Sequence, residues 1–154
     1  MDLLQPLNLP PHPFKLTEHN GQLTVFDEIR KKEIILTPEE WVRQHFVQYL
    51  IAVKGYPKGL IKLEGGLKVN HMPRRTDIAV HDRQGQMILL VECKAPSVSL
   101  TQKVFDQIAR YNITHRVPLL AVSNGLQHVY CKIDVEQKRY WFIEDLPAYQ
   151  QLIP

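Results

Sequence analysis

The chain has 154 residues, 44% apolar and 23% charged, which suits one soluble globular domain and excludes a disordered, collagen-like or coiled-coil chain. The apolar run Met87 to Val91 is five residues long, against about 20 for a membrane-spanning helix. No basic-then-apolar leader opens the sequence, so a cytoplasmic protein with no membrane partner is expected. Cys93 and Cys131 stand far apart with no CxxC or Cys/His cluster, which argues against a disulfide framework or a zinc site. The net charge of +3 is unevenly spread: residues 54–116 carry eleven Lys and Arg against five Asp and Glu. Such a basic middle is either a solvated face or a phosphate-binding surface.

Leu3 to Pro13 is Pro-rich and reads as an irregular arm. Phe14 to Phe26 alternates around Asn20-Gly21, a hairpin signal, and Ile34 to Leu36 adds a short strand. Thr37-Pro38-Glu39-Glu40 opens a helix with Thr37 as N-cap, Pro38 in the first turn and Glu40 completing a capping box. Val42, Phe46, Tyr49, Leu50 and Val53 form its apolar stripe, and Gly55-Tyr56-Pro57 ends it. Leu60 to Val69 reads as a strand broken at Gly65-Gly66. Thr76 to Asp82 and Met87 to Ala95 are strands joined at Arg83-Gln84-Gly85. Ser99-Leu100-Thr101-Gln102 is a second capping box, opening a helix with Val104, Ile108 and Tyr111 inward. Val117 to Ser123 and Gln127 to Ile133 flank Asn124-Gly125 as a second hairpin, and Tyr140 to Ile143 is a last strand. The order predicts an α/β (α+β) fold. One domain over residues 1–154 is expected, with an arm and hairpin at 1–33, a motif-bearing core at 34–133 and an extension at 134–154.

Several polar residues break the apolar pattern. Side chains alternate faces along a strand, so Glu92 and Lys94 project together, roughly 7 Å apart, while Cys93 points to the opposite, packed face. A hairpin brings Asp77 near Glu92. Two adjacent carboxylates need a proton or a cation between them, so with Lys94 they form either a salt-bridge network or a metal-dependent hydrolytic site. Hard oxygen donors of this kind suit Mg²⁺ or Mn²⁺. Helical phase places Glu39 inward and leaves Glu40 to its cap, and places Gln107 on the core face of the second helix. His81, on the Asp77 face, is the nearest histidine to the pocket and is expected at the surface or the pocket rim.

Asp77…Glu92-Cys93-Lys94, following a helix with Glu39, resembles the PD-(D/E)XK nuclease motif, and Gln107 to Tyr111 matches the Q-x3-Y element of its RecB-like branch. More closely, Pro38 to Gln44, Arg75-Thr76-Asp77, Val91 to Pro96 and Asp106-Gln107…Tyr111-Asn112 resemble the N-terminal domain of type I restriction enzyme R subunits (HSDR_N), over about residues 34–133. The resemblance implies a restriction-endonuclease-like fold, a central mixed sheet flanked by helices, and a Mg²⁺-dependent (or Mn²⁺-dependent) DNA phosphodiesterase. It implies that Asp77 and Glu92 ligate the metal, with the Cys93 carbonyl and Glu39 supporting. Lys94 would orient or help deprotonate the attacking water, and Gln107 and Tyr111 would orient DNA or the lysine. Thr76, rather than Pro, precedes Asp77. Arg74, Arg75, Lys103 and Arg110, with Tyr111, are the expected DNA contacts. R subunits continue into an ATP-driven motor, yet no G-x4-G-K-[S/T] loop is present here, which points to DNA and a separate restriction or DNA-processing subunit as partners. The alternatives are a nucleic-acid-binding module of the same fold with little or no cleavage, and a structural domain.

Overall fold

The computed structural model describes residues 3–63 and 77–153, with the side chains of Tyr111 and Thr114 outside that description. The strand expected past Leu63 and the basic pair Arg74-Arg75 lie outside the described residues. The architecture is mixed α and β, as expected: a three-stranded sheet, a six-stranded sheet and three helices.

The predicted N-terminal hairpin is present as β1 (Leu16–His19) and β2 (Gln22–Asp27). Its turn has Asn20 at φ 52° and Gly21 at φ 79°, the double left-handed geometry that Asn-Gly adopts in two-residue hairpins. The third strand, β3 (Lys32–Ile35), joins β2 to complete an antiparallel sheet. Helix α1 (Pro38–Ala52) then starts at Thr37, whose hydroxyl accepts the Glu40 backbone N–H. The six-stranded sheet runs β4 (Ile61–Leu63), β5 (Ile78–His81), β6 (Met87–Cys93), β7 (Leu119–Ser123), β8 (His128–Asp134) and β9 (Arg139–Ile143) in spatial order. Every pairing is antiparallel except β6 with β7. Helix α2 (Gln102–His115) makes the crossover that a parallel pair requires. Its N-cap is Thr101, whose hydroxyl accepts the Val104 N–H, and not Ser99 as a box over 99–102 implies. The second hairpin has a longer turn over 124–127, in which the Asn124 side chain accepts the N–H groups of Leu126 and Gln127. A short α3 (Tyr149–Leu152) closes the chain.

The two long helices cover opposite faces of the large sheet. Val42, Phe46, Val47 and Leu50 of α1 pack with Leu89, Val91 and Cys93. Phe105, Ile108 and Ala109 of α2 pack with Leu90, Leu120 and Val122. The small sheet covers the outer side of α1, with Trp41 packed on Val25 and Leu36. Helix α1 is therefore buried nearly all round, Glu40 to Gln48 being a continuous buried run.

The arm does not hang free. The Trp41 indole donates to the Gln5 carbonyl, and Asn8 donates to the turn after β7 at the Gly125 and Leu126 carbonyls. Gly125 sits there at φ 85°, and a Cβ on it would lie 2.8 Å from Leu7 Cδ2. Both cysteines are buried free thiols. Among the described residues, no helix is long and apolar enough to cross a membrane.

Candidate functional site

The site lies where the C-terminal end of β6 meets the start of β5 and the first turns of α1. Ile78 pairs with Val91 across the antiparallel β5–β6 ladder, so Asp77, one residue before β5, comes beside Glu92. Asp77 is 6% exposed. One carboxylate oxygen accepts the Cys93 backbone N–H at 2.7 Å, and the other lies 3.3 Å from the Arg43 guanidinium. Burial and the neighbouring Glu92 charge push the Asp77 carboxyl up to about 7, against the opposing pull of Arg43 and the Cys93 N–H. The Lys94 ammonium stands 3.3 Å from Glu92, placing the two on one side as strand alternation requires. The Cys93 thiol packs in the α1-side core, and burial raises its pKa well above the ordinary thiol value. A thiol so buried stays protonated, the form that is a poor nucleophile.

The two helix glutamates are the reverse of the expectation. Glu40 is buried, and its side chain does not turn back to cap the helix. One oxygen accepts from Arg30 at 3.1 Å and Gln44 at 3.0 Å, and the other lies 3.5 Å from Arg43. The Glu39 side chain is 47% exposed, 3.8 Å from Arg43, so it stands at the rim of the site and does not point inward. The reason is packing on both sides: with the small sheet covering α1, a single apolar stripe no longer defines inward.

Gln107 also departs from expectation. It is exposed, while Phe105, Ile108, Ala109 and Asn112 are the buried residues of α2. Lys103, Gln107 and Arg110 are all exposed and share one helix face at i, i+4 and i+7. Of the two places expected for His81, the structure has the surface: it is partly exposed and ends β5 beyond a register irregularity, roughly 13 Å along the strand from Asp77. Burial and Lys62 hold its pKa below the usual imidazole value. Parts of the basic segment are already paired, Lys54 with Asp145 at 2.7 Å and Lys58 with Glu28 at 2.9 Å.

Asp27, Arg30, Arg43 and Gln44 form a largely buried polar group behind the site that sequence reasoning misses. Asp27 is wholly buried at the end of β2. It accepts the backbone N–H groups of Ile29 and Arg30, the Arg30 side chain and the Gln44 amide. These bonds hold its pKa below the ordinary value despite its burial. The one available signal is an arginine three and four residues after two glutamates, within an otherwise inward-facing helix.

Among the described residues, no group of three or more His, Cys, Asp and Glu is placed to hold a metal ion. Asp77 and Glu92 are two hard oxygen donors. Among the described residues, the carboxylates of Asp27, Glu39, Glu40, Asp77 and Glu92 meet the cationic side chains of Arg30, Arg43 and Lys94 around them.

A mixed sheet sandwiched by two helices, with a carboxylate pair and a lysine at one strand end, is thus the class of domain in hand. The chain matches the family model described as type I restriction enzyme R protein N terminus (HSDR_N) over residues 38–147, and it belongs to that family. No curated protein and no solved structure matches it.

Proposed function

We propose that this domain is a PD-(D/E)XK-type phosphodiesterase that cuts DNA with Mg²⁺ or Mn²⁺. The observation that carries the reading is Lys94 paired to Glu92 beside a buried Asp77 whose carboxyl is raised to about 7 by burial and by Glu92. A buried carboxylate beside a second carboxylate fits a hard divalent ion, which takes one or two carboxylates and completes its shell with water and phosphate oxygens. Asp77 and Glu92 would hold it, with the Cys93 carbonyl nearby, and Glu39 within electrostatic reach of Asp77. Bound there, such an ion polarises a phosphoryl oxygen and lowers the pKa of water.

The protein's own part is charge and orientation. Lys94 presents an ammonium where negative charge develops on the scissile phosphate, and its N–H donors orient the attacking water. The exposed face of α2, with Lys103, Gln107 and Arg110, supplies phosphate contacts, and Tyr111, Arg74 and Arg75 extend that set in the sequence. A separate restriction or DNA-processing subunit is the partner this reading calls for. One observation favours the second reading, a DNA-binding module without cleavage: Arg43 already lies against Asp77.

The deciding experiment compares wild type and Lys94→Ala on plasmid DNA across a Mn²⁺ and Mg²⁺ series, with binding measured in parallel. Expected is metal-dependent cleavage that Lys94→Ala abolishes while DNA affinity stays within about twofold, one lysine being a small share of the phosphate contacts. Binding without cleavage in any divalent metal selects the module. Absence of both overturns the reading.

A further inference from the structure

A buried chain of alternating charge runs from the small sheet to the site. Asp27 at the end of β2 binds Arg30 at 2.7 Å, and Arg30 binds Glu40 at 3.1 Å. Glu40 then binds Arg43 at 3.5 Å, and Arg43 binds Asp77 at 3.3 Å. Gln44 braces the chain from the side, donating to both Asp27 and Glu40. Asp27, Glu40, Arg43 and Gln44 are each no more than 5% exposed. The remaining Asp77 oxygen is fixed by the Cys93 N–H, so the carboxylate is gripped at both oxygens, by a guanidinium from α1 and by the backbone of β6. Each oxygen keeps capacity for a second partner.

We propose that Arg43 is a positioning residue that sets the orientation of the Asp77 carboxylate for a divalent cation, and that Glu40, backed by Arg30 and Asp27, holds Arg43 in place. The metal-binding consequence rests on the nuclease reading, whereas the grip on Asp77 does not. A planar fork that spans Glu40 and Asp77 is a task for guanidinium; a lysine ammonium is a single compact charge and cannot reproduce it. The small sheet then serves the chemistry at a distance: it supplies Asp27, the anchor of the chain, and through four links fixes a carboxylate at the start of β5 in the other sheet.

The test uses Arg43→Lys and Glu40→Gln in the full chain, with three readouts. Amide exchange at Cys93 reports the Asp77 grip directly, with Val91 on the same strand as the internal reference. Mn²⁺ affinity of the folded protein reports the donor geometry, and cleavage reports the chemistry. Expected for Arg43→Lys is faster exchange at Cys93 with Val91 unchanged, and Mn²⁺ affinity down about 10-fold or more, the usual scale for an outer-shell partner. Glu40→Gln, which keeps the side-chain shape and one hydrogen-bonding oxygen, should show the same pattern more weakly, and decides the matter if Arg43→Lys does not fold. A merely structural role would lower the melting temperature and leave the Cys93-to-Val91 exchange ratio and the Mn²⁺ affinity at wild-type values, which overturns the proposal. If wild type itself binds no Mn²⁺ and cuts nothing, the nuclease reading falls, and the Cys93 exchange ratio alone decides the role of Arg43.

Discussion

Replacing Glu40 by alanine probes the reversal of the two helix glutamates. A helix-cap residue costs about 0.5–2 kcal/mol when truncated, whereas removing one partner from a buried ion pair costs about 3–5 kcal/mol. Glu40 is 4% exposed and touches both Arg30 and Arg43. Each arginine retains another carboxylate, Asp27 for Arg30 and Asp77 for Arg43, so the lower end, about 3 kcal/mol, is the expected cost. In a chain of this size that is a fall of roughly 6–12 °C in Tm. The assay is urea and thermal unfolding by circular dichroism at neutral pH, beside Glu39→Ala, whose half-exposed side chain should change stability by no more than about 0.5 kcal/mol. A Glu40→Ala cost below about 1 kcal/mol, or a larger cost for Glu39→Ala, would refute the buried network as described.

Because the Asp77 carboxyl titrates at about 7 in the folded chain, above the 3.8 of the free group, the folded state binds the extra proton between those values. The contribution of Asp77 to stability should therefore fall as pH rises from about 4 to about 7, so the unfolding free energy of wild type relative to Asp77→Asn should decline over that range. By the same proton competition, Mn²⁺ binding measured by calorimetry should weaken as pH drops through about 7. Gly125→Ala forces a side chain onto a φ of 85° and into Leu7, so it should cost about 1–3 kcal/mol in melting experiments, part of it recovered in the Leu7→Ala background. Lys103→Ala and Arg110→Ala should each lower the log–log salt slope of duplex binding by about 0.9 for every phosphate the native side chain neutralises, measured by fluorescence anisotropy.

Local signals define the elements, and the tertiary setting decides what sequence cannot. The Asn20-Gly21 turn, the Thr37 cap and the alternation of β6 follow from neighbours in sequence, and each is found where expected. The Asp77–Glu92–Lys94 grouping is legible because hairpin register and strand period are both short-range rules. Which helix-start glutamate faces inward is not legible, since a helical stripe defines inward only when one face is covered, and α1 is covered on both. Gln107 is misplaced by its periodicity for a related reason: the inward face of α2 is carried by Phe105, Ile108, Ala109 and Asn112, one position round from a stripe of Val104, Ile108 and Tyr111. The long-range charge chain from Asp27 leaves no periodic trace, because its members are joined by space and sign rather than by spacing.

The strap formed by the arm has a consequence for the order of events during synthesis. Asn8 bonds to Leu126 and to His128, 118 and 120 positions further on. The arm leaves the ribosome 118 residues ahead of Leu126, so it must wait unpaired while α1 and the front of the large sheet take shape. Contacts this distant along the chain bear the highest closure entropy and form late. Their partner turn directly follows Ser123, whose carbonyl accepts the Lys94 N–H. The shoulder of the lysine-bearing strand end is thus completed only when the arm docks against the turn between β7 and β8.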